Sequence, residues 1–467
     1  MSSRAIFSIR AALLVLLVSF PAAAQEDLDL ERIPTPSLTT PAEDVPDVAT
    51  AKQNKLFSEN VIAVGGYRNN LVVPSLPPSR PDAQARSSLD GTFHRDWSDG
   101  WSATFSDRFD LSWRNDLDAF NHRSIANDLR EAYLTWEPRG ETYMEGGRIN
   151  LRNGGALGFN PTDFFKTRSS ISQTSLDPSA IRNNRLGSFM WRGQSLWSGG
   201  SLGLAIAPKL ADAHALPSID PGGFGIGSDR TNAENRFLVS LSPDIADFSP
   251  QVLVYHEANR TRFGFNASHQ IGQSVIAYGE WAGGRQPSAI AEAVAFGKRT
   301  GELPAFAPVP ASDGSAASFK NDLALGASWT SSEKVTLNAE YHLHQAGWSR
   351  RDLHDWFASG AQGSPSWTRE LWYLRGYAAD QQDPLARQQI FLRADWTDAL
   401  VSHLELTALA FVSLSDGSSR TQLSATYDLS DRWTMGLFAT AALGTTRSEW
   451  GSIPQSESLS VQAIRYF

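Results

Sequence analysis

Residues 101–114 read WSATFSDRFDLSWR. In an extended chain Trp101, Ala103, Phe105, Phe109, Leu111 and Trp113 fall on one face, and Thr104, Ser106, Arg108, Asp110, Ser112 and Arg114 on the other. A period of two marks a half-buried strand. Ionisable groups opposite large aromatics suit a strand with lipid on one side and water on the other better than one backed by a protein core. Asp107 breaks the apolar face and predicts a bulge or a membrane boundary. The pattern recurs at 334–345, where Val335, Leu337, Ala339, Tyr341 and Leu343 oppose Lys334, Thr336, Asn338, Glu340, His342 and His344. It recurs again at 389–396, where Ile390, Leu392, Ala394 and Trp396 oppose Gln389, Arg393 and Asp395.

Alternating segments fall near 61–72, 87–97, 101–113, 128–137, 141–149, 186–197, 200–208, 235–242, 249–257, 261–270, 273–283, 319–330, 334–347, 387–397, 401–414, 419–429, 432–445 and 457–467. That is about eighteen, or sixteen if one connection is divided differently. Short connections (98–100, 138–140, 198–200, 243–248, 271–273, 331–333, 397–400, 430–431) alternate with others that are mostly long. The long ones lie near 73–86, 114–127, 150–185, 209–234, 284–318, 348–386 and 446–456, with short exceptions near 258–260 and 415–418. The reading is an all-β chain: a transmembrane antiparallel β-barrel with short periplasmic turns and long extracellular loops in the cell outer membrane.

Composition agrees with this class. The 467 residues include no cysteine, so neither disulfides nor a thiolate metal site hold an exported chain together. Fifteen Trp and 24 Phe accompany a mean hydropathy of -0.30, which is aromatic-rich yet polar on average. Arg4 and Arg10, the apolar run 11–20 and Pro21-Ala22-Ala23-Ala24 read as a secretory signal, residues 1–24, cleaved before Gln25. Residues 25–60 are acidic and Pro-rich, an extended or disordered periplasmic segment, and 61–467 form the barrel. The net charge is -9, and no cofactor, metal or nucleic-acid partner is expected.

At the end of the chain Leu459, Val461, Ala463 and Phe467 share a face, and this resembles the terminal aromatic strand read by the outer-membrane assembly machinery. Arg465 departs from that pattern. Outer-membrane lipid and lipopolysaccharide are the other expected partners.

Positive charge gathers in one place. From Arg148 to Arg192 there are six arginines and Lys166 against Asp163 and Asp177, an excess of five. Gly147-Arg148, Asn160-Pro161-Thr162-Asp163 and Asp177-Pro178 make residues 128–195 resemble alginate-export-like outer-membrane barrels. The resemblance implies a large single-chain barrel passing a small or extended polar solute. Residues 150–185 form the third outer loop and resemble the constriction loop of general porins. Arg148, Arg152, Arg168, Arg182, Arg185 and Arg192 are therefore the candidate solute-binding residues, because the planar fork of arginine pairs with carboxylate or phosphate. The competing reading pairs them with lumen carboxylates such as Glu131 and Glu145, or with lipopolysaccharide phosphates.

The function expected is an outer-membrane channel, porin- or exporter-like, with an arginine-lined lumen and no enzymatic activity. The alternatives are a barrel hydrolase, motivated by Glu340, His342 and His344 on one face and His354-Asp355 nearby, and a surface-binding or structural barrel. No Gly-x-Ser-x-Gly, His-Glu-x-x-His or P-loop pattern supports the first. Trp348, Trp356, Trp367, Trp372, Tyr373 and Tyr377 motivate the second, or else they pack the loop or lie at the membrane interface.

Overall fold

The computed structural model describes residues 54–74, 81–116, 121–216, 224–245, 248–307 and 317–467. The expected signal at 1–24 and most of the acidic segment at 25–60 lie outside them. Eighteen antiparallel strands follow one another around a single sheet, and the first, Lys55–Tyr67, pairs with the last, Gln455–Tyr466. Closure leaves no edge strand. A two-residue strand, Phe224–Gly225, adds a parallel contact to Asn127–Asp128. Each of the eighteen expected segments corresponds to one strand. Three strands start early: the fourth at Asn121 rather than near 128, the second at Pro81 rather than near 87, and the first at Lys55 rather than near 61. The outward face of the first strand carries Asn60 and its inward face Val61 and Ala63, so polarity does not alternate with orientation there.

Sidedness follows from the pleat. On Val335–His344, Asn338, Glu340, His342 and His344 are buried, while Leu337 is 44% exposed. Outward residues such as Ile62, Phe105, Leu337 and Leu392 leave an apolar outer surface, and the inner wall is mostly polar, with one apolar patch (Met190, Leu238, Leu253, Tyr255) against Phe164 and Phe165. No helix among the described residues is long and apolar enough to cross a membrane.

Short connections such as residues 198–199 and 431–432 lie at one end; the other end carries long ones such as 150–187 and 345–387 together with the short 258–259 and 414–418. Asp107 does mark a bulge: the register between Trp101–Asp116 and Asn121–Arg139 shifts between Ser106 and Asp107. These two strands also run into the long connection expected near 114–127, because polar residues project beyond the apolar belt.

Three of the long-loop helices were not expected from the sequence: Ala289–Thr300, Arg350–Gln362 and Pro365–Asp380. Local chemistry starts each one. Ser288 accepts from the Ala291 N–H, Ser349 and Asp352 form a capping box, and Ser364 precedes Pro365 in the first turn. The three helices pack around Trp348, Trp356, Phe296, Leu371 and Leu374 as a cap with its own core. Trp356 is fully buried and its Nε1 donates to the Leu371 carbonyl at 3.0 Å. Four of the six loop aromatics (Trp348, Trp356, Tyr373, Tyr377) are buried in this cap, which accounts for them as loop packing.

Candidate functional site

Residues 150–187 leave the strand Thr142–Ile149, cross the barrel interior and return at Ser188–Trp197. The bulge prepares both ends of the crossing. It lets Arg130 and Glu131, adjacent in sequence, both serve the lumen. Glu131 Oε1 accepts from the Asn150 N–H at 3.1 Å, and Arg130 donates to Asn184 Oδ1 at 2.8 Å and to Asp90. Gly147, at φ 138°, precedes Arg148. A Cβ there would lie 2.3 Å from the Ala132 carbonyl oxygen, so only glycine fits.

Inner-wall carboxylates hold the middle of the segment. Glu280 accepts from the Ala156 N–H at 2.6 Å and from Thr162 Oγ1 at 2.9 Å. Glu340 accepts from the Leu157 and Gly158 N–H groups at 2.6 and 2.8 Å. Across the barrel, Gln422 accepts from the Leu176 N–H at 2.7 Å, Arg86 donates to Ser172 and Thr174 at 2.7 Å, and Arg393 pairs with Asp177 at 3.1 Å. Phe164 stacks on Tyr255 of the wall with centroids 4.5 Å apart. The segment therefore touches strands on several sides of the lumen, and its backbone donors, which would otherwise lack partners, find them.

The six candidate arginines divide by what they touch. Arg185 is 1% exposed and grips Asp163 with both terminal nitrogens, at 2.9 and 3.0 Å. It also donates to Asn150 Oδ1 and the Leu151 carbonyl, both at 2.7 Å. Arg168 donates to the Asp229 and His214 carbonyls and pairs with Asp380 at 3.3 Å. Arg148 is fully buried against Phe189 and donates to the Ile226 carbonyl. Arg192 pairs with Glu145 at 3.2 Å. Arg182 donates to the Asn153 and Gly154 carbonyls, with Asp163 3.6 Å away, and its side chain stays 22% exposed. Arg152 donates to Asn183 and is exposed.

Between the segment and the helical cap lies a cavity of about 1550 Å³. Its lining is mixed in charge. Lys166, Arg182, Arg185, Arg369, Arg375 and Arg420 face Asp163, Glu302, Glu370, Asp383 and Glu449. Lys166 pairs with Asp383 at 2.9 Å, and Arg375 donates to Ser452 Oγ and the Glu449 carbonyl, both at 2.7 Å. Burial pushes the Glu449 carboxyl up to about 7.

The histidines that motivated an enzyme reading each have a carboxylate partner. His342 Nε2 lies 2.7 Å from Glu340 Oε2, and His344 Nδ1 lies 2.8 Å from Asp322 Oδ1. Glu340 is itself taken up by the crossing segment. Among the described residues no group of three or more His, Asp or Glu side chains is arranged to hold a metal.

Sequence reasoning missed Glu280 and Glu340 as anchors, Asp163 as the acceptor for Arg185, and the lining role of Arg375 and Arg420. Glu340 did stand on the inward face of its strand. Nothing in the sequence tied it to a loop some 180 residues away.

No known family matches the chain, and no curated protein does. Among solved structures it is similar to OccK11 (OpdR) of Pseudomonas aeruginosa, with 10% identity, 89% of this chain and 95% of that one covered, and a TM-score of 0.47. It is also similar to Salmonella typhi OmpF in complex with daunomycin, at 8% identity, 90% and 99% coverage and a TM-score of 0.38. A triple mutant of the Rhodopseudomonas blastica porin aligns at 8% identity, 89% and 99% coverage and a TM-score of 0.38.

Proposed function

We propose that this chain is an outer-membrane channel, porin- or exporter-like, for small or extended polar solutes with a preference for anions. One observation carries the reading: a closed barrel with an apolar outside and a polar inside holds a large cavity, narrowed by a segment fixed at many points to the inner wall. Closed barrels are the one sheet architecture that satisfies every backbone group in lipid. In this orientation the short connections and both chain ends face the periplasm, the helical cap faces outward, and Phe467 meets the assembly machinery. Arg152 and Arg182 are the candidates that meet solute. Arg148, Arg168, Arg185 and Arg192 shape the lumen by holding its parts. The resemblance of residues 128–195 to alginate-export-like barrels supports an extended solute as one class of cargo.

Swelling of proteoliposomes tests this. Vesicles should swell in isotonic glucose, and faster in potassium gluconate with valinomycin present to carry the cation. Swelling no faster than in protein-free vesicles, with the barrel folded, contradicts the proposal.

A further inference from the structure

Arg420 stands apart from the other cations that line the cavity. Lys166, Arg182, Arg185 and Arg375 each donate to a carboxylate, hydroxyl or carbonyl of the protein. Arg369 is exposed on the cap helix Pro365–Asp380. Arg420 is half-buried on the inward face of the strand Ser419–Ser430 and has no hydrogen-bond or ion-pair partner among the described residues. Its guanidinium carbon lies 5.9 Å from the centroid of the Trp450 ring. The Trp450 backbone N–H donates to Ser418 Oγ at 3.1 Å, which holds the residue in place. A ring beneath a guanidinium orients the fork without using its five donors.

Apolar side chains share the lining with Arg420, as does the buried Glu449 next to Trp450. Phe411 is the register partner of Arg420 on the adjoining strand and faces the same cavity, as do Leu176, Pro178 and Ile453. Gln422, two residues further along the strand on the same face, anchors the Leu176 N–H, so the crossing segment forms the floor beside the free fork. A desolvated, unpaired cation is unfavourable until an anion meets it. An inorganic anion would use the fork and leave the apolar wall idle.

We propose that Arg420, Trp450, Phe411 and Leu176 form a subsite for an amphipathic organic carboxylate, its head bidentate on Arg420 and its apolar body along the wall. The proposal deepens the channel reading and names one solute class for it, so the test separates the two.

Calorimetric titration of the folded, full-length protein in detergent, with hexanoate as probe and acetate as control, reads the subsite without any current. Hexanoate should bind saturably and more tightly than acetate. Arg420→Gln should weaken hexanoate about tenfold, the loss of one charge-assisted contact, and Arg420→Lys should weaken it less. Equal affinity in the wild type and Arg420→Gln, or no saturable binding of hexanoate to the folded wild type, overturns the subsite. Circular dichroism of each variant shows that the barrel is intact. Conductance of the same preparations in planar bilayers reports separately on the channel: binding without conductance sinks the channel and keeps the subsite, and conductance without binding does the reverse.

Discussion

Arg185 and Asp163 form the tightest joint of the crossing segment: a two-point fork with both side chains about 1% exposed. Removing one partner of a buried pair strands the other charge and typically costs about 3–5 kcal/mol. Asp163→Ala should therefore loosen residues 150–187 while leaving the strands paired. Bilayer recordings should show a larger and noisier unit conductance than the wild type. A variant with unchanged conductance would show that the joint does not fix the narrowing. Glu449, 1% exposed in the last long loop, sets a pH dependence. Burial raises its carboxyl from 4.5 to about 7, so the folded loop prefers the neutral form. That contribution is full below the unfolded value and is lost as pH rises through about 7. It amounts to at most ~3 kcal/mol, from 1.36 kcal/mol per unit. Protection factors in residues 444–454, taken relative to the intrinsic exchange rate at each pH, should fall between about pH 5 and 8, and Glu449→Gln should flatten the trend. The clustered arginines were legible in the sequence. One partner was legible too, since Arg192 pairs with Glu145, a carboxylate the sequence offered; the carbonyl acceptors carry no residue-type signal, and the segment's backbone anchors, Glu280 and Glu340, lie more than a hundred residues away.

Strands were read well because the pleat imposes a period of two and the two sides meet opposite solvents. The same rule makes a sharp test. Leu337 is outward and Asn338 inward on one strand. Leu337→Arg should cost about 2–4 kcal/mol near the bilayer midplane, whereas Thr336→Arg, at a less buried inward site on the same strand, should cost little, as measured by denaturant titration in lipid. Equal penalties would contradict the assigned faces. The helices escaped notice because their signals are brief. A serine cap and a few apolar residues three or four apart sit among Gly and Pro, and the aromatic content drew attention to the membrane interface instead. Trp356, against Phe357 at 5.0 Å and Trp372 at 5.5 Å, is the centre of the cap. Trp356→Ala should cost about 3–5 kcal/mol and expose the cap helices to hydrogen exchange. Strand amides should stay protected, since the cap core is separate from the barrel ladder. Loss of protection throughout would show that cap and barrel fold as one unit.

For the molecule, closure decides the architecture. Eleven residue pairs, from Phe57↔Tyr466 to Tyr67↔Gln455, join the first strand to the last in a continuous wall. Strand number and order were legible because each connection is local, so neighbours in sequence are neighbours in space. The interior was less so, since what fills a lumen depends on contacts across its width. The wall supports residues 150–187, and under the proposed function the exposed Arg152 and the half-buried Arg182 set a positive field in the narrowed path. Charge acts strongly there because opposite charges ~4 Å apart gain about 4 kcal/mol at an effective dielectric of 20, against about 1 in water. The reversal potential across a planar bilayer in a KCl gradient tests this most directly. Stepwise currents with a reversal potential on the anion side are predicted. The bias should shrink at high salt, since screening acts over ~10 Å at 0.1 M, and in Arg152→Gln/Arg182→Gln. No steps from folded protein, or a selectivity that the double variant leaves unchanged, would contradict the account.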